Sequence, residues 1–192
     1  MANVTIIGTG SMANAIGGVL ADGGSSVAYV SHEQSGSAPL EGDIVVLAVP
    51  YPAVDGILAA YGDQLAGRTV VDITNPLDFS TFDALVVPLG SSATEQIQQK
   101  LPQSRVLKAF NTTFAATLSS KKVGDLPTTV LVAGDDADAK GALVSAIEAG
   151  GVSAVDAGAL KRAHELEALG FLQLTLAAGE KIAWTGGFGL VR

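Results

Sequence analysis

The feature that most constrains the fold of this chain is a glycine-rich turn directly after its first apolar run. Residues 4–7 (V-T-I-I) form a short, mostly β-branched segment, which is typical of a buried β-strand. Residues 8–13 then read G-T-G-S-M-A, which is the spacing G-x-G-x-x-A. The apolar residues that follow fall on one stripe of a helix that ends at two glycines, 23 and 24. The chain therefore opens with a strand, a tight turn and a helix in immediate succession.

Six further apolar runs repeat the strand pattern, at residues 27–30, 44–49, 69–73, 105–110, 129–132 and 153–155. Helical spacing lies between several of them, at 51–65 and 136–149, and residues 160–184 form the longest helical candidate. Short continuous apolar runs are typical of parallel strands that are covered on both faces. The alternation predicts an α/β fold with a doubly wound, mostly parallel sheet and a long C-terminal helix. We expect one domain over residues 1–192, in which residues 159–192 are a C-terminal helical extension.

Composition narrows the possible partners. The chain has 192 residues, of which 48% are hydrophobic, and a net charge of −8. Because it has no basic run, we expect neither a nucleic acid nor an anionic membrane as partner. It has no cysteine, and its two histidines are far apart in the sequence, so we expect no disulfide and no metal site. No stretch resembles a membrane span or an export leader, and a cytoplasmic location is therefore expected.

The glycine turn predicts a nucleotide site. In a strand-turn-helix unit, Gly8 permits the tight turn, Gly10 lets a pyrophosphate approach the backbone, and the small Ala13 lets the helix pack close to the strand. The free N–H groups at the start of the helix then face the phosphates. The same glycines also occur in ordinary strand-to-helix turns, where they serve the backbone conformation alone. A second strand at the proper distance favours the dinucleotide interpretation.

The end of the second predicted strand bears on the choice of dinucleotide. An NAD site normally has an acidic residue there, which hydrogen-bonds the ribose 2′-hydroxyl, whereas an NADP site is neutral or basic at this place. Ser31 and His32 can donate hydrogen bonds to a 2′-phosphate, and Glu33 comes only after the strand should have ended. These residues favour NADP. Against NADP, no Lys or Arg precedes Arg68, and His32 can also be a solvated loop residue.

Residues 32–42 predict an extended loop, because the segment is about as short as a parallel crossover can be and contains glycine, proline and serine. With such a loop, the strand at 44–49 lies on the other side of the first strand. This arrangement creates the switch in strand order at which open sheets bind ligands. Ala48, Val49 and Pro50 are then expected beside the pyrophosphate or the nicotinamide ribose.

Five motifs follow one another along the chain. They are G-T-G-S-M at residues 8–12, V-L-A-V-P at 46–50, V-V-D-I-T-N-P at 70–76, V-L-K-A-F-N-T at 106–112 and A-G-D-D at 133–136. In order and spacing, over nearly the whole chain, they resemble the coenzyme F420-dependent NADP oxidoreductase family. The combination of T-N-P with K-A-F-N-T is far more specific than the glycine motif. The resemblance implies a Rossmann domain, NADP(H) as cofactor, and hydride transfer between nicotinamide and a deazaflavin (F420) or flavin-like acceptor.

The resemblance also implies roles by position. The residues expected to hold the cofactor are Gly8, Thr9, Gly10, Ser11, Met12 and Ala13 at the pyrophosphate, Ser31 and His32 at the 2′-phosphate, Ala48, Val49 and Pro50 at the ribose, and Thr74, Asn75 and Pro76 at the nicotinamide. Those expected on the acceptor side are Ala109, Phe110, Asn111 and Thr112. The family usually has Arg at position 32 and a helix with further basic residues in place of the loop 33–42. Both departures remove positive charge from the 2′-phosphate side of the site.

Hydride transfer between stacked rings depends on positioning and on exclusion of water, so it needs no acid or base from the protein. Accordingly, no catalytic residue is assigned. Asn75 and Asn111 are candidate partners of the nicotinamide carboxamide, although Asn75 can also start a turn and Asn111 can cap a helix. We expect Asp72 to make a structural hydrogen bond. The segment H-E-L-E at 164–167 is expected on a solvated or ion-paired helix face.

Other functions use the same features. A non-catalytic module that senses NADP(H) needs the glycine turn and no catalytic side chain. A methyltransferase can also use such a turn, but T-N-P and K-A-F-N-T disfavour it. The C-terminal helical segment is apolar on nearly every side, which predicts packing against the domain or against a second copy in a homodimer. Trp184, at its end, is a candidate to contact the acceptor or a partner subunit, or simply to end the helix.

Overall fold

A computed structural model of the protein describes residues 1–31 and 33–191, which form a central sheet with helices on both faces. The elements are β1 (Asn3–Ile7), α1 (Ser11–Asp22), β2 (Ser26–Val30), β3 (Ile44–Leu47), α2 (Val54–Leu65), β4 (Thr69–Asp72), α3 (Ala93–Lys100), β5 (Arg105–Lys108), α4 (Ala115–Ser120), β6 (Lys122–Val123), β7 (Leu126–Pro127), β8 (Thr129–Gly134), α5 (Ala137–Ala149), β9 (Ser153–Gly158) and α6 (Ala163–Ala178). Two short 3₁₀ turns, Tyr51–Ala53 and Leu160–Arg162, lead into α2 and α6. Among the described residues, no helix is both long enough and apolar enough to cross a membrane.

The sheet has seven strands in the order β2-β1-β3-β4-β5-β8-β9. All neighbouring strands are parallel except β5 and β8, which pair in the antiparallel direction. The predicted mostly parallel, doubly wound α/β fold is therefore confirmed. Because β1 has β2 on one side and β3 on the other, the predicted switch in strand order is also present. The described part of the predicted loop, residues 33–42, contains neither helix nor strand.

The central strands are buried on both faces, which explains their uninterrupted apolar sequences. In β3, Ile44 and Val46 belong to the apolar cluster under α1 and α5. The alternate residues, Val45 and Leu47, belong to a second cluster under α2 and α3. Successive side chains of a strand point to opposite faces, so each face has its own half of the core.

Three elements were not predicted from the sequence: α3, α4 and the small hairpin of β6 and β7. In addition, the C-terminal helix is shorter than predicted. The start of α3 does carry a sequence signal, because Ser92 and Glu95 form a capping box in which the Ser92 hydroxyl accepts a hydrogen bond from the Glu95 N–H at 3.1 Å. The C-terminal helix was predicted to reach residue 184 but ends at Ala178, because Gly179 caps it and the chain turns back.

A fully buried lysine joins the carboxyl ends of β4 and β5. The Lys108 ammonium lies 2.9 Å from Asp72 Oδ2, its partner in the strand register. It also lies 2.9 Å from Glu167 Oε1 on α6 and donates to the Thr74 carbonyl at 2.5 Å. An ammonium group has three N–H donors, so these three acceptors satisfy it completely. Asp72 also accepts from the backbone N–H of Thr74 at 2.8 Å, which agrees with the structural role expected for this carboxylate.

Glu167 fastens α6 to the rest of the domain. Its carboxylate accepts hydrogen bonds from the N–H groups of Ala93, at 2.9 Å, and Thr94, at 3.3 Å, in the first turn of α3. A carboxylate is stabilised at the N-terminus of a helix by the unsatisfied N–H groups and the helix dipole. Glu165 forms the expected surface ion pair with Arg162. Glu167, however, is 1% exposed: it is ion-paired with Lys108, but in the interior, so the expectation of a solvated face was wrong for this residue.

Replacing the buried lysine should destabilise the fold strongly. Lys108→Met leaves two carboxylates in the interior without a cation, and breaking a buried pair in this way costs about 3–5 kcal/mol. Lys100→Met is a matched control, because Lys100 pairs with Asp55 at the surface and an exposed pair contributes less than about 1 kcal/mol. Urea unfolding of both variants measures the difference, and equal losses in the two would contradict the role given to Lys108.

The stability of the protein should also depend on pH through Glu167. Burial raises the pKa of this carboxyl above its ordinary value near 4.5, and this effect outweighs the opposing attraction of Lys108. At a pH between the ordinary pKa of the unfolded chain and the raised pKa of the folded state, the folded protein keeps a proton that the unfolded chain has released. The free energy of unfolding therefore falls as the pH rises through this interval. The unfolding free energy of the wild type relative to Glu167→Gln should therefore decrease as pH increases from about 4.5. A difference that stays constant with pH in urea titrations would contradict this.

Candidate active site

The carboxyl ends of five neighbouring parallel strands bring the sequence motifs to one edge of the sheet. Gly8 follows β1, Ser31 follows β2, Ala48 follows β3, Ile73 follows β4 and Ala109 follows β5. In open α/β sheets, ligands bind in the crevice outside these strand ends, at the switch in strand order. The motif residues, which are far apart in the chain, therefore surround one crevice.

The glycine turn is held tightly against β3. The N–H of Gly8 donates to the Val30 carbonyl at 2.9 Å, and the N–H of Ala48 donates to the Ile7 carbonyl at 2.9 Å. Gly8 has a φ of +122°, and a Cβ atom there would lie 2.2 Å from the Ala48 carbonyl oxygen. Only glycine fits this conformation and this contact. The packing role predicted for Ala13 agrees with its position, because it is 1% exposed and part of the core under α1.

The start of α1 faces the crevice without an internal cap. Gly10 occupies the capping position, no side chain accepts from the first N–H groups, and the first turn contains no acidic residue. Nothing in the described residues lies within 4 Å of the place where a Gly10 Cβ would be. These unsatisfied N–H groups and the helix dipole favour an anion. The glycine turn thus offers an open, electropositive approach to the backbone.

A cavity of about 550 Å³ lies on the β2 side of the turn, and we call it the Pro50 cavity. Its described lining is mostly apolar and contains no charged side chain; the lining residues are Ile7, Gly8, Thr9, Gly10, Val30, Ser31, Ser35, Ala48, Val49, Pro50, Ala53, Gly56 and Ile57. Apolar walls with a few hydroxyl groups suit a flat ring and a sugar.

A second cavity of about 540 Å³, here called the Trp184 cavity, lies on the β5 side of the same turn. Its described lining comes from α1, α4 and α6, from the loops after β4 and β5 and from the C-terminal tail. The lining residues are Ser11, Met12, Ile73, Asn75, Phe110, Asn111, Thr113, Phe114, Ala115, Ala116, Leu174 and Trp184. Phe114 and Trp184 pack against each other with ring centroids 5.0 Å apart. No ionisable side chain belongs to the described lining, so this cavity offers aromatic and amide surface but no acid or base.

Two asparagines join the loops after β4 and β5. Asn75 Nδ2 donates to the Asn111 carbonyl at 2.9 Å, and Asn111 Nδ2 donates to Asn75 Oδ1 at 2.9 Å and to the Leu166 carbonyl of α6 at 2.8 Å. A Cβ atom on Gly170 would lie 2.3 Å from Asn75 Oδ1, so α6 needs a glycine to approach the pair. From the sequence, Asn75 was considered as the start of a turn and Asn111 as a helix cap. Neither role accounts for the hydrogen bonds between the two side chains.

Two buried polar atoms have no hydrogen-bond partner among the described residues. They are Asn111 Oδ1, of a residue that lines the Trp184 cavity, and Thr74 Oγ1, of a residue between the lining residues Ile73 and Asn75. Buried polar atoms are normally satisfied, so unpaired ones beside a cavity point to a ligand or an ordered water. Phe110, in the wall of the same cavity, has a left-handed φ of +63°, which costs about 1 kcal/mol for a residue with a side chain. Such strain is typical of functional sites.

The crevice brings together most, but not all, of the predicted site residues. Gly8, Thr9, Gly10, Ser31, Ala48, Val49 and Pro50 line the Pro50 cavity, and Ser11, Met12, Asn75, Phe110 and Asn111 line the Trp184 cavity. Among the described residues, Ala13, Thr74, Pro76, Ala109 and Thr112 line neither cavity; all five are buried, and Thr112 borders a separate small pocket beside the C-terminal tail. His32 lies outside the described residues. No group of three His, Cys, Asp or Glu that could hold a metal occurs in the described ranges.

Several wall residues were not predicted. Ser35, Ala53, Gly56 and Ile57 in the Pro50 cavity, and the α4 residues Ala115 and Ala116 with Leu174 of α6 in the Trp184 cavity, carry no motif. Their neighbourhood follows from packing between distant segments. Trp184 was a candidate from its position at the end of the apolar segment, and the structure places it in the cavity wall.

Comparison with known proteins agrees with this architecture. No protein-family model matches the sequence. An F420-dependent NADP reductase from Methanocaldococcus jannaschii is 31% identical over 153 residues, covering 78% of this chain and 68% of that protein. Metalloreductase STEAP3 from Rattus norvegicus is 29% identical, covering 86% of this chain and 36% of that protein.

A solved structure extends the likeness over the full chain. A protein from Arthrobacter sp. FB24, whose proposed activity is that of an F420-dependent NADP reductase, superposes with a TM-score of 0.83 at 27% identity and covers 100% of both chains. Together with the relative that is 31% identical, the five motifs and the strand order, this likeness identifies the chain as a member of the F420-dependent NADP reductase family.

Proposed function

We propose that this protein transfers hydride between NADP(H) and a deazaflavin of the F420 type, with a flavin as the related alternative acceptor. The observation that carries the proposal is the pair of cavities on the two sides of one glycine turn. A dinucleotide whose pyrophosphate lies on the turn reaches both cavities, with its adenosine half in one and its nicotinamide half in the other.

The residues around the turn fit such a nucleotide. The open space at Gly10 and the uncapped N-terminus of α1 suit the pyrophosphate, with Gly8, Thr9, Ser11, Met12 and Ala13 forming the rest of this cradle. In our proposal, Ser31 and His32 contact the adenosine ribose and its 2′-phosphate, and Ala48, Val49 and Pro50 line the path of the sugar.

The nicotinamide side is assigned to the loops after β4 and β5. The unpaired Asn111 Oδ1 can accept a hydrogen bond from a carboxamide N–H. Asn75 holds Asn111 in place, and Thr74 and Pro76 flank Asn75 in the same loop. Bound NADP(H) would supply the hydride chemistry itself.

The acceptor is proposed to lie against Phe110 and Asn111 in the Trp184 cavity, whereas Ala109 and Thr112, which were expected on the acceptor side, are buried and belong to the loop that carries these two residues. Aromatic walls favour a flat, fused ring by stacking. The protein's contribution is to hold two rings in contact and to keep water away from them, which can account for much of the rate of a transfer between two positioned carbons. The lack of an ionisable group in the described lining of this cavity fits a reaction that needs no protein acid or base.

We further propose that residues 1–192 act as one cytoplasmic domain whose C-terminal extension, 159–192, mediates a homodimer. The outer side of α6 carries Leu172, which is 50% exposed, and the tail adds Phe188 and Leu190, which are 45% and 42% exposed. Apolar side chains clustered on one surface are typical of subunit contacts.

The function is tested by binding followed by turnover. NADPH fluorescence titration gives a dissociation constant, and addition of F420 to the complex should then oxidise NADPH, while FMN and FAD are the comparison acceptors. Gly10→Ala should weaken NADPH binding at least tenfold without lowering the melting temperature, because its methyl group takes only the space left for the pyrophosphate. Gly18→Ala is the matched control, since its added methyl group on α1 is also unopposed.

Each failure has a distinct meaning. Tight NADPH binding without oxidation by any acceptor would overturn the enzymatic proposal in favour of a sensor module. Absence of NADPH and NADH binding would overturn the dinucleotide assignment. Equal losses of affinity in Gly10→Ala and Gly18→Ala would contradict the role of the turn.

The homodimer is tested by light scattering at micromolar concentration, which should give twice the chain mass. Leu172→Glu places a charge in the proposed contact and should give the monomer mass, because burial of an unpaired carboxylate opposes association. Leu89→Glu changes an apolar residue that is even more exposed, in the loop between β4 and α3, and should leave the dimer intact. A wild type of monomeric mass would contradict the proposal.

A further inference from the structure

The C-terminal tail, residues 179–191, carries a tryptophan to the wall of the Trp184 cavity and holds it there. After the end of α6, the Lys181 N–H donates to the Leu176 carbonyl at 2.8 Å. Beyond Trp184, the Phe188 N–H donates at 3.3 Å to Oε1 of Gln173, which is 1% exposed. Both acceptors belong to α6, so the segment that carries Trp184 is anchored to this helix on both sides.

The fold uses only part of the Trp184 side chain. Its ring packs against Phe114 with the centroids 5.0 Å apart and the ring planes inclined at 51°. Among the described residues, no second aromatic ring packs against it. Trp184 is 51% exposed although it lines a cavity. Because tryptophan is on average highly buried in folded proteins, this exposed indole surface is available to a ligand.

Trp184 shares its cavity with the proposed nicotinamide side of the site. Asn111, whose unpaired Oδ1 is assigned above to the nicotinamide carboxamide, lines the same space of about 540 Å³. No ionisable side chain belongs to the described lining, so the cavity offers ring faces and amide groups to an acceptor, but no charge. An acceptor in this cavity would have the nicotinamide near Asn111 and the indole of Trp184 as aromatic neighbours.

An indole ring suits an oxidised flavin or deazaflavin. These acceptors are flat, electron-poor fused rings, whereas indole is electron-rich, and offset stacking of two aromatic rings is favourable. Tryptophan also supplies a large, rigid contact surface at the conformational cost of only two χ angles. Hydride transfer requires the acceptor ring to face the nicotinamide at contact distance. Stacking on the indole would restrain the acceptor ring in that orientation.

We infer that Trp184 is a specificity-determining residue for the acceptor, and that its indole stacks on the fused ring of the flavin or deazaflavin. The inference rests on the proposed function, because it uses the cavity that is assigned there to the acceptor. Within that function, Trp184 selects flat aromatic acceptors. It takes no part in binding NADP(H) and supplies no proton to the reaction.

A fluorescence titration of the wild type tests the contact directly. Trp184 is the only tryptophan of the chain, so emission excited selectively from tryptophan reports on this side chain alone. With NADP⁺ bound there is no hydride to transfer, and oxidised FMN or F420 can be added without turnover. Both should quench the emission of Trp184 in a saturable way, after correction for absorbance with a free tryptophan amide. Quenching that rises linearly with acceptor concentration would overturn the inference.

Substitution of Trp184 should separate acceptor binding from nucleotide binding. Trp184→Ala should raise the KM for F420 and for FMN at least about tenfold, because it removes both the stacking and the apolar contact area. We expect a smaller change in kcat and no change in the dissociation constant of NADPH. Trp184→Phe keeps an aromatic ring and should recover most of the loss in KM.

Phe79→Ala is the matched control. Phe79 is 53% exposed and packs against one other ring, that of Phe82, with the centroids 5.6 Å apart. It lies in the loop between β4 and α3 and lines neither the Trp184 cavity nor the Pro50 cavity. Removal of this ring should leave the KM for both acceptors at the wild-type value. Thermal melting of each variant shows whether the fold is intact.

Three results with the variants would overturn the inference. The first is a KM for the acceptors that Trp184→Ala raises no more than Phe79→Ala does. The second is an equal loss of NADPH and acceptor binding in Trp184→Ala, which would assign the indole to the nicotinamide. The third is a monomeric Trp184→Ala variant beside a dimeric wild type, which would assign the indole to the subunit contact.

Failure of the inference and failure of the proposed function are distinguishable. Oxidation of NADPH by F420 or a flavin without saturable quenching of Trp184 would overturn the inference and leave the proposed function intact. Saturable quenching without oxidation of NADPH would contradict the proposed function and support the stacking role of Trp184. The titration uses the wild-type protein, so it decides the question even where Trp184→Ala does not fold.

Discussion

The buried ammonium group of Lys108 holds the candidate site together. Its three acceptors come from β4, from the loop after β4 and from α6, and through Glu167 the same network reaches the first turn of α3. The loop after β4 and α6 also contribute lining residues to the Trp184 cavity. Two carboxylates and one ammonium in the interior are costly to desolvate, and the cost is offset by hydrogen bonds from Thr94 and from backbone N–H groups. The arrangement fixes the loop after β4, which carries T-N-P, relative to α6, which forms part of the wall of the Trp184 cavity.

The second constraint is the close contact between the glycine turn and β3. Because Gly8 lies directly against Ala48, the start of α1 is forced into the crevice at the switch in strand order. The result is a helix N-terminus that favours phosphate, with a mostly apolar cavity on either side of it. The same geometry suits hydride transfer, since positioned rings and an excluded solvent require shape more than ionisable groups.

The family relationship and the residues around the glycine turn agree. The chain belongs to the F420-dependent NADP reductase family and is 31% identical to the reductase from Methanocaldococcus jannaschii. In folds with this strand order and glycine spacing, a dinucleotide lies on the turn at the switch in strand order. The open space at Gly10 and the uncapped start of α1 in this chain suit the pyrophosphate of such a ligand.

The sequence by itself determined the seven strands of the main sheet, the glycine turn and about half of the residues that line the crevice. These depend on local signals: apolar runs, the glycines of a tight turn, and the rule that parallel strands end at one edge. Only the tertiary structure decided the places of Glu167 and Trp184. Glu167 pairs with a lysine 59 positions earlier in the chain (167 − 108), and Trp184 contacts Phe114 after the helix has ended. The partner of a side chain across the fold depends on how distant segments of the chain pack together. The local pattern of the sequence carries no information about that packing.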